Sequence, residues 1–180
     1  MNVWENSVIT EKGLSLLAKL TAGNTLAITR AVTGAGYVTP GLLQGQTEVT
    51  DPKQELKFRV VTYPEVGKCA TPVYLNNDGL TASYTANQVG MFATDPDEGE
   101  VLFLITQAAS GNGTMIPSET EMPGYSAEWT FYIQYGQADG VTVEVDPANS
   151  VTQEGMESYI NMEIRALTTA ELDTIINEAP

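Results

Sequence analysis

The chain is 180 residues long and 42% hydrophobic, with a mean hydropathy of −0.11 and a net charge of −15. That is enough chain to bury a sizeable core, and no apolar run approaches the roughly 20 residues of a membrane span. With no histidine and a lone Cys69, Ser-His-Asp and Cys-His catalysis, His-ligated metal sites and any internal disulfide are excluded.

Met1–Glu5 has neither a basic region nor an apolar signal core, so the expectation is synthesis in a cytoplasm without Sec export. Val3–Ile9 predicts a short strand with Trp4 as an anchor. Thr10 is placed to cap a helix over Glu11–Thr21, with Glu11 at the positive end of the dipole and Gly23 beyond the stop. Leu14, Leu17, Ala18 and Thr21 recur at helical spacing and predict its apolar face. Leu26–Thr33 predicts a strand with Leu26, Ile28 and Arg30 on one side. Gly34-Ala35-Gly36 follows without a third glycine opening a helix or a Gly-Lys-Ser/Thr ending, so backbone turning outweighs phosphate binding.

Glu55–Tyr63 alternates, with Leu56, Phe58 and Val60 facing one way and Lys57 and Arg59 the other. Lys68–Leu75 is expected to pair with it, with Cys69 as a small buried hydrophobe. Asn76-Asn77-Asp78-Gly79 marks a turn. Tyr84–Gln107 predicts a central hairpin around the turn Asp95-Pro96-Asp97-Glu98-Gly99, and Val101–Ile105, apolar at every position, should be covered on both faces. Thr106–Tyr125 is polar and rich in Gly, Pro and Ser, which predicts a long loop. Glu128–Tyr135 and Val141–Val145 alternate again and predict a hairpin with Trp129, Phe131, Ile133 and Tyr135 on one face. Asp146-Pro147 is expected to end the sheet.

Beyond Ala148 the pattern turns helical. Thr152–Ile164 carries Met156, Ile160 and Ile164 four apart. Thr168-Thr169-Ala170-Glu171 is a capping box, stapled by Leu167 and Leu172, before a stripe of Leu172, Ile175 and Ile176. So short a helix does not hold itself in water, so the stripe must dock, on its own domain or on another subunit. These seven apolar residues are the candidate subunit-interface set. The expected fold is α+β, mainly antiparallel β and sandwich-like, with an N-terminal helix packed on the sheet. A β-rich domain spans 1–147, and a helical appendage of two short helices spans 148–180.

Charge and candidate sites point away from chemistry. Thirteen acids and no base occupy Ala70–Asn161, a surface that repels nucleic acid and anionic lipid. The carboxylates of Asp95, Asp97, Glu98 and Glu100, or Glu119 and Glu121, read as solvated turn residues more readily than as a glycosidase pair. The acidic turn also lacks the ligand periodicity of an EF-hand. Tyr132 and Tyr125 are the candidate ligand contacts for a glycan-binding or host-adhesion alternative. No catalytic residue, metal ligand or cofactor is expected.

Two stretches resemble a known family. Trp4–Gly36, with Thr10, Gly13, Leu17, Ala18, Gly23, Ile28, Thr29, Gly34 and Gly36, resembles the opening of phage tail-collar fibre proteins. Gln88-Val89-Gly90-Met91-Phe92 and Val101–Ile105 are similar to that family's central Glu-Ile-Gly-Leu-Phe strand and hairpin, with Gln88 for the Glu and Met91 for the Leu. The resemblance covers about Met1–Gln107, and Thr168–Pro180 looks like the tails of small prophage proteins. It implies a virion structural protein of the tail, without enzymatic activity, that attaches to other tail or baseplate proteins. It also implies a homo-oligomer, commonly a trimer, with no nucleic-acid partner and no membrane insertion.

Overall fold

The computed structural model describes residues 4, 6–20, 26–65, 68–110, 112–136 and 140–148. Met156, Ile160, Ile164, Leu167, Leu172, Ile175 and Ile176, and both C-terminal helices expected from the sequence, lie outside them. The described residues are mainly antiparallel β. They comprise β1 (Asn6–Ile9), α1 (Glu11–Leu20), β2 (Ile28–Gly34), β3 (Pro52–Phe58), β4 (Thr62–Glu65) and β5 (Lys68–Asn76). After these come β6 (Tyr84–Ala86), β7 (Gln88–Asp95), β8 (Gly99–Gln107), β9 (Thr114–Ile116), β10 (Ser126–Gly136) and β11 (Gly140–Ala148). A 3-10 turn, Pro40–Gly45, lies between β2 and β3.

One sheet runs β1-β8-β7-β2-β3-β5-β10-β11, with β4 also paired to β5, and β6 pairs β9 in a separate ribbon. Where a sandwich would use two layers, this single sheet curls into a half-barrel and brings β11 back against β1. Trp4, just ahead of β1, meets Trp129 of β10 edge to face at 5.8 Å between ring centroids. Both rings are buried, so the edge-to-face pair pins one end of the strand order to the other.

The central hairpin forms as its sequence dictates. Asp95 pairs with Gly99 across the turn, and Gly99 takes φ of 82°, a conformation open to glycine and costly for a side chain. Val101–Ile105 is buried throughout. Val101, Phe103 and Leu104 join the main core with Trp4 and Trp129, whereas Leu102 and Ile105 join a smaller one with Phe92, Leu43 and Val49. The 3-10 turn and the loop after it supply the second cover.

Two bulges decide which way side chains point. In β7–β8, Met91 pairs with Leu104 and Phe92 with Leu102, leaving Phe103 as the extra residue. In β2–β7, Ile28 pairs with Ala93 and Arg30 with Phe92, so Thr29 is extra. The second bulge corrects the predicted side of Arg30. Ile28 packs on the main core, but the Arg30 guanidinium lies 3.7 Å over the Phe92 ring, in the other layer.

The helix also sits differently from its predicted face. Gly13 and Leu16 are buried and Leu17 is half-buried, while Leu14 and Ala18 are exposed. Gly13 approaches the β8 backbone too closely for any side chain, and that contact turns the 13-16-17 face inward.

Other expectations shift by an element. The predicted strand Glu55–Tyr63 breaks into β3 and β4, and Val60, expected beside Leu56, is 83% exposed. The predicted loop Thr106–Tyr125 contains β9, which pairs with the start of the predicted hairpin. The strand expected to stop at Asp146-Pro147 runs to Ala148. Cys69, expected to be buried, is half-buried.

Candidate functional site

The acidic hairpin tip is organised by its own backbone and by three basic side chains. Asp95 Oδ1 accepts from the N–H groups of Asp97 (2.8 Å) and Glu98 (3.1 Å), an Asx turn. Lys19, from the last turn of α1, donates to Asp95 Oδ1 and Oδ2 at 2.8 and 2.9 Å and pairs with Asp97 Oδ2 at 2.8 Å. Lys12 reaches Glu98 at 2.5 Å, and Glu100 accepts from Thr29 at 2.5 Å and Arg30 at 2.7 Å.

The Lys19 hydrogen bond, then the Asp97 N–H, holds the Asp95 carboxyl below its ordinary range. The Thr29 hydroxyl, then Arg30, does the same for Glu100. A glycosidase acid needs the opposite shift. These groups are stable anions that fasten α1 and β2 to the hairpin. Glu119 and Glu121 are likewise engaged, accepting from the Gly79 N–H at 2.9 Å and from the Ser83 hydroxyl. Among the described residues no three Cys, Asp or Glu side chains gather as metal ligands.

A buried amide network fastens the long connection after β2. Gln88 and Gln107 are both fully buried on adjacent strands, and Gln88 Nε2 donates to Gln107 Oε1 at 2.7 Å. The Val38 N–H donates to Gln107 Oε1 at 3.0 Å, and Gln107 Nε2 donates to the Val38 carbonyl at 2.8 Å. The Thr50 N–H donates to Gln88 Oε1 at 2.7 Å. Every bond here is between uncharged groups, and at the two buried amides an unmatched donor or acceptor costs its full desolvation.

Gly34 and Gly36 serve the same junction. Neither has positive φ, and a Cβ on Gly36 would lie 2.3 Å from Thr50 Cγ2. The Gly36 N–H donates to the Thr50 carbonyl at 2.9 Å. The Gly-x-Gly therefore provides close approach between two segments of the chain, in keeping with the reading against a phosphate loop.

The two candidate ligand tyrosines face opposite ways. Tyr125 packs half-buried against the main core, and burial raises its pKa. Tyr132 has odd-even parity against Trp129, Phe131 and Ile133 and lies on the other face, where Lys68 Nζ sits 4.9 Å from its ring centroid. They do not form one site. Tyr84, whose pKa burial pushes up to about 12, is tied to Thr33 and Gln54 by bonds of 2.9 Å.

Sequence alternation gave no sign of one concavity among the described residues. A groove of about 300 Å³ opens between β2, β4, β5 and β10, lined by Ile28, Phe58, Val61, Tyr63, Cys69 and Ile133. The break between β3 and β4 creates it, because it leaves Phe58, Val61 and Tyr63 partly or largely exposed at the rim. The signal available in sequence was the β-branched and aromatic run Val60-Val61-Thr62-Tyr63 beside Pro64.

Compared with known proteins, the chain matches no family model, no curated protein and no solved structure. No helix among the described residues is long and apolar enough to cross a membrane.

Proposed function

We propose that the protein is a small structural component of a phage tail, a fibre, collar or baseplate element that works by assembling with other tail proteins. The supporting observation is how the motifs of the resemblance behave in space. Thr10 and Gly13 meet the β8 bulge. Gly34 and Gly36 pack on the Thr50 segment that also bonds Gln88, at the start of the Gln88–Phe92 strand. Residues spread over eighty positions thus meet in two joints of one sheet, as expected if the shared pattern encodes a shared attachment domain over 1–147.

In this reading the curled sheet is a rigid platform, and the appendage 148–180 supplies two short helices. The stripe of Met156, Ile160 and Ile164 faces a second copy of the chain, and a trimer is the expected state. The protein is synthesised in the bacterial cytoplasm and resides in the virion tail, with no enzymatic activity and no cofactor.

Immunogold labelling of particles released from the producing cell tests the reading. Label at the tail tip or collar is the expected result. Particles that carry no label while the protein stays soluble and monomeric by light scattering would overturn it.

A further inference from the structure

Asn112 is the one asparagine of the chain that a glycine follows. An asparagine amide is lost without a catalyst when the backbone nitrogen of the next residue attacks the side-chain carbon. Glycine, with no Cβ, leaves that attack uncrowded. Asn112 is exposed in the turn after β8, where its N–H donates to the Ala109 carbonyl at 2.9 Å. Among the described residues neither its side-chain amide nor the Gly113 N–H has a hydrogen-bond partner. Neighbouring asparagine side chains are held. Asn76 donates to Asp78 at 2.5 Å, Asn77 to the Pro117 and Met122 carbonyls at 3.0 and 2.8 Å, and Asn87 to the Ala35 carbonyl at 2.6 Å.

The chain just beyond Asn112 has no slack. A Cβ built on Gly113 would meet the Asn87 side-chain oxygen and lie 2.6 Å from the Ala86 carbonyl oxygen, so Gly113 is seated directly on the end of β6. β9 starts at the next residue, pairing Thr114 with Ala86, Met115 with Thr85 and Ile116 with Tyr84. Ile116 is fully buried in the main core. Asn87 carries the joint onward, its N–H donating to the Gly34 carbonyl and its carbonyl accepting from the Ala108 N–H, each at 2.9 Å.

We propose that Asn112 is a site of spontaneous deamidation and that its isoaspartyl product frees β9 from β6. The Gly113 nitrogen gives up its proton and bonds to Asn112 Cγ, and the amide nitrogen leaves with that proton as ammonia. A succinimide ring now joins the two residues, and water opens it. Water adding at Cγ restores an ordinary aspartyl link. Water adding at the main-chain carbonyl leaves the chain running through Cβ and Cγ, one methylene longer. The ordinary product adds only a charge to an exposed residue. The isoaspartyl product forces an extra backbone atom against the Gly113 seat, while buried Ile116 pins the far end of β9. The two-stranded ladder between them, separate from the main sheet, is the part that yields.

The full-length protein, aged in mildly alkaline buffer, tests both steps. Peptide mapping by mass spectrometry should find Asn112 deamidated at least about tenfold faster than Asn77 or Asn87, the rate equivalent of a hydrogen bond broken before the attack. An isoaspartyl methyltransferase should label this position in wild type and leave it unlabelled in Asn112→Gln, whose larger ring closes far more slowly. Equal rates at the three asparagines, or no methyl label in the Asn112 peptide, overturns the site. Ion exchange then separates the aged forms. Thermolysin, which cuts before apolar residues, should cleave the isoaspartyl fraction at Met115 or Ile116 severalfold faster than fresh Asn112→Asp, which has the charge without the methylene. Equal cleavage of the two overturns the release of β9.

Discussion

A Cβ placed on Gly13 would lie 2.0 Å from the carbonyl oxygen of Phe103. Phe103 is the extra residue of the β8 bulge. Its carbonyl also accepts from the Thr10 N–H at 3.1 Å. The Thr10 hydroxyl donates to the Leu102 carbonyl and accepts from the Gly13 N–H at 3.0 Å, capping the helix. A distortion in one strand thus provides the seat for α1, and Thr10-x-x-Gly13 is the sequence that fits it.

Gly13→Ala is the sharpest test of that joint. Helix propensity alone favours Ala over Gly by about 1 kcal/mol. The overlap with a backbone carbonyl, which has no rotamer to yield, should instead destabilise the fold by about 2–3 kcal/mol. Urea denaturation decides between the signs. Leu14→Ala, on the exposed side, should stay within about 0.5 kcal/mol of wild type.

Leu56 and Val60 separate the strand pattern from the fold. Alternation puts them on one face, yet Leu56 is buried and Val60 is 83% exposed. Leu56→Ala should cost about 2–4 kcal/mol and Val60→Thr less than about 0.5 kcal/mol. Comparable losses in chemical denaturation would restore the unbroken strand.

Gln88→Glu should destabilise by about 2–4 kcal/mol at neutral pH, because a carboxylate has no proton to give the Gln107 oxygen and is buried without a cation. Burial raises the pKa of the new acid, so its protonated form regains the donor. The penalty is full above that raised pKa and shrinks as pH falls toward the ordinary glutamate range. Urea midpoints of wild type and variant, compared at several pH values, should converge on the acid side. A constant gap would mean the Gln88 amide proton is not what holds this junction.

The Lys19–Asp95 pair makes stability depend on pH at both extremes. Asp95 is depressed below 3.8, so its contribution is complete above that value and is lost as pH falls through the folded pKa. Lys19 is raised above 10.5, so its contribution is complete below that value and is lost as pH rises past it. Melting temperature should therefore fall more steeply in acid for wild type than for Asp95→Asn. It should fall more steeply in strong base for wild type than for Lys19→Gln. Parallel curves would mean the contact is solvent-screened to nothing.

The sequence by itself determined the elements whose cause is local. The Asp95–Gly99 turn needs only an Asx side chain and a glycine free to take positive φ. The β10–β11 hairpin follows from alternation, and the two-sided burial of Val101–Ile105 follows from a run with no polar position. Tertiary structure alone decided the rest. Which face α1 buries depends on a carbonyl some ninety residues away, and which way Arg30 points depends on one extra residue at Thr29. The break that exposes Val60 and opens the groove depends on how β5 pairs with two strands at once. Periodicity records what a residue's chain neighbours permit. A bulge or a backbone-to-glycine contact is fixed by a partner distant in sequence, and no window along the chain contains both sides of it.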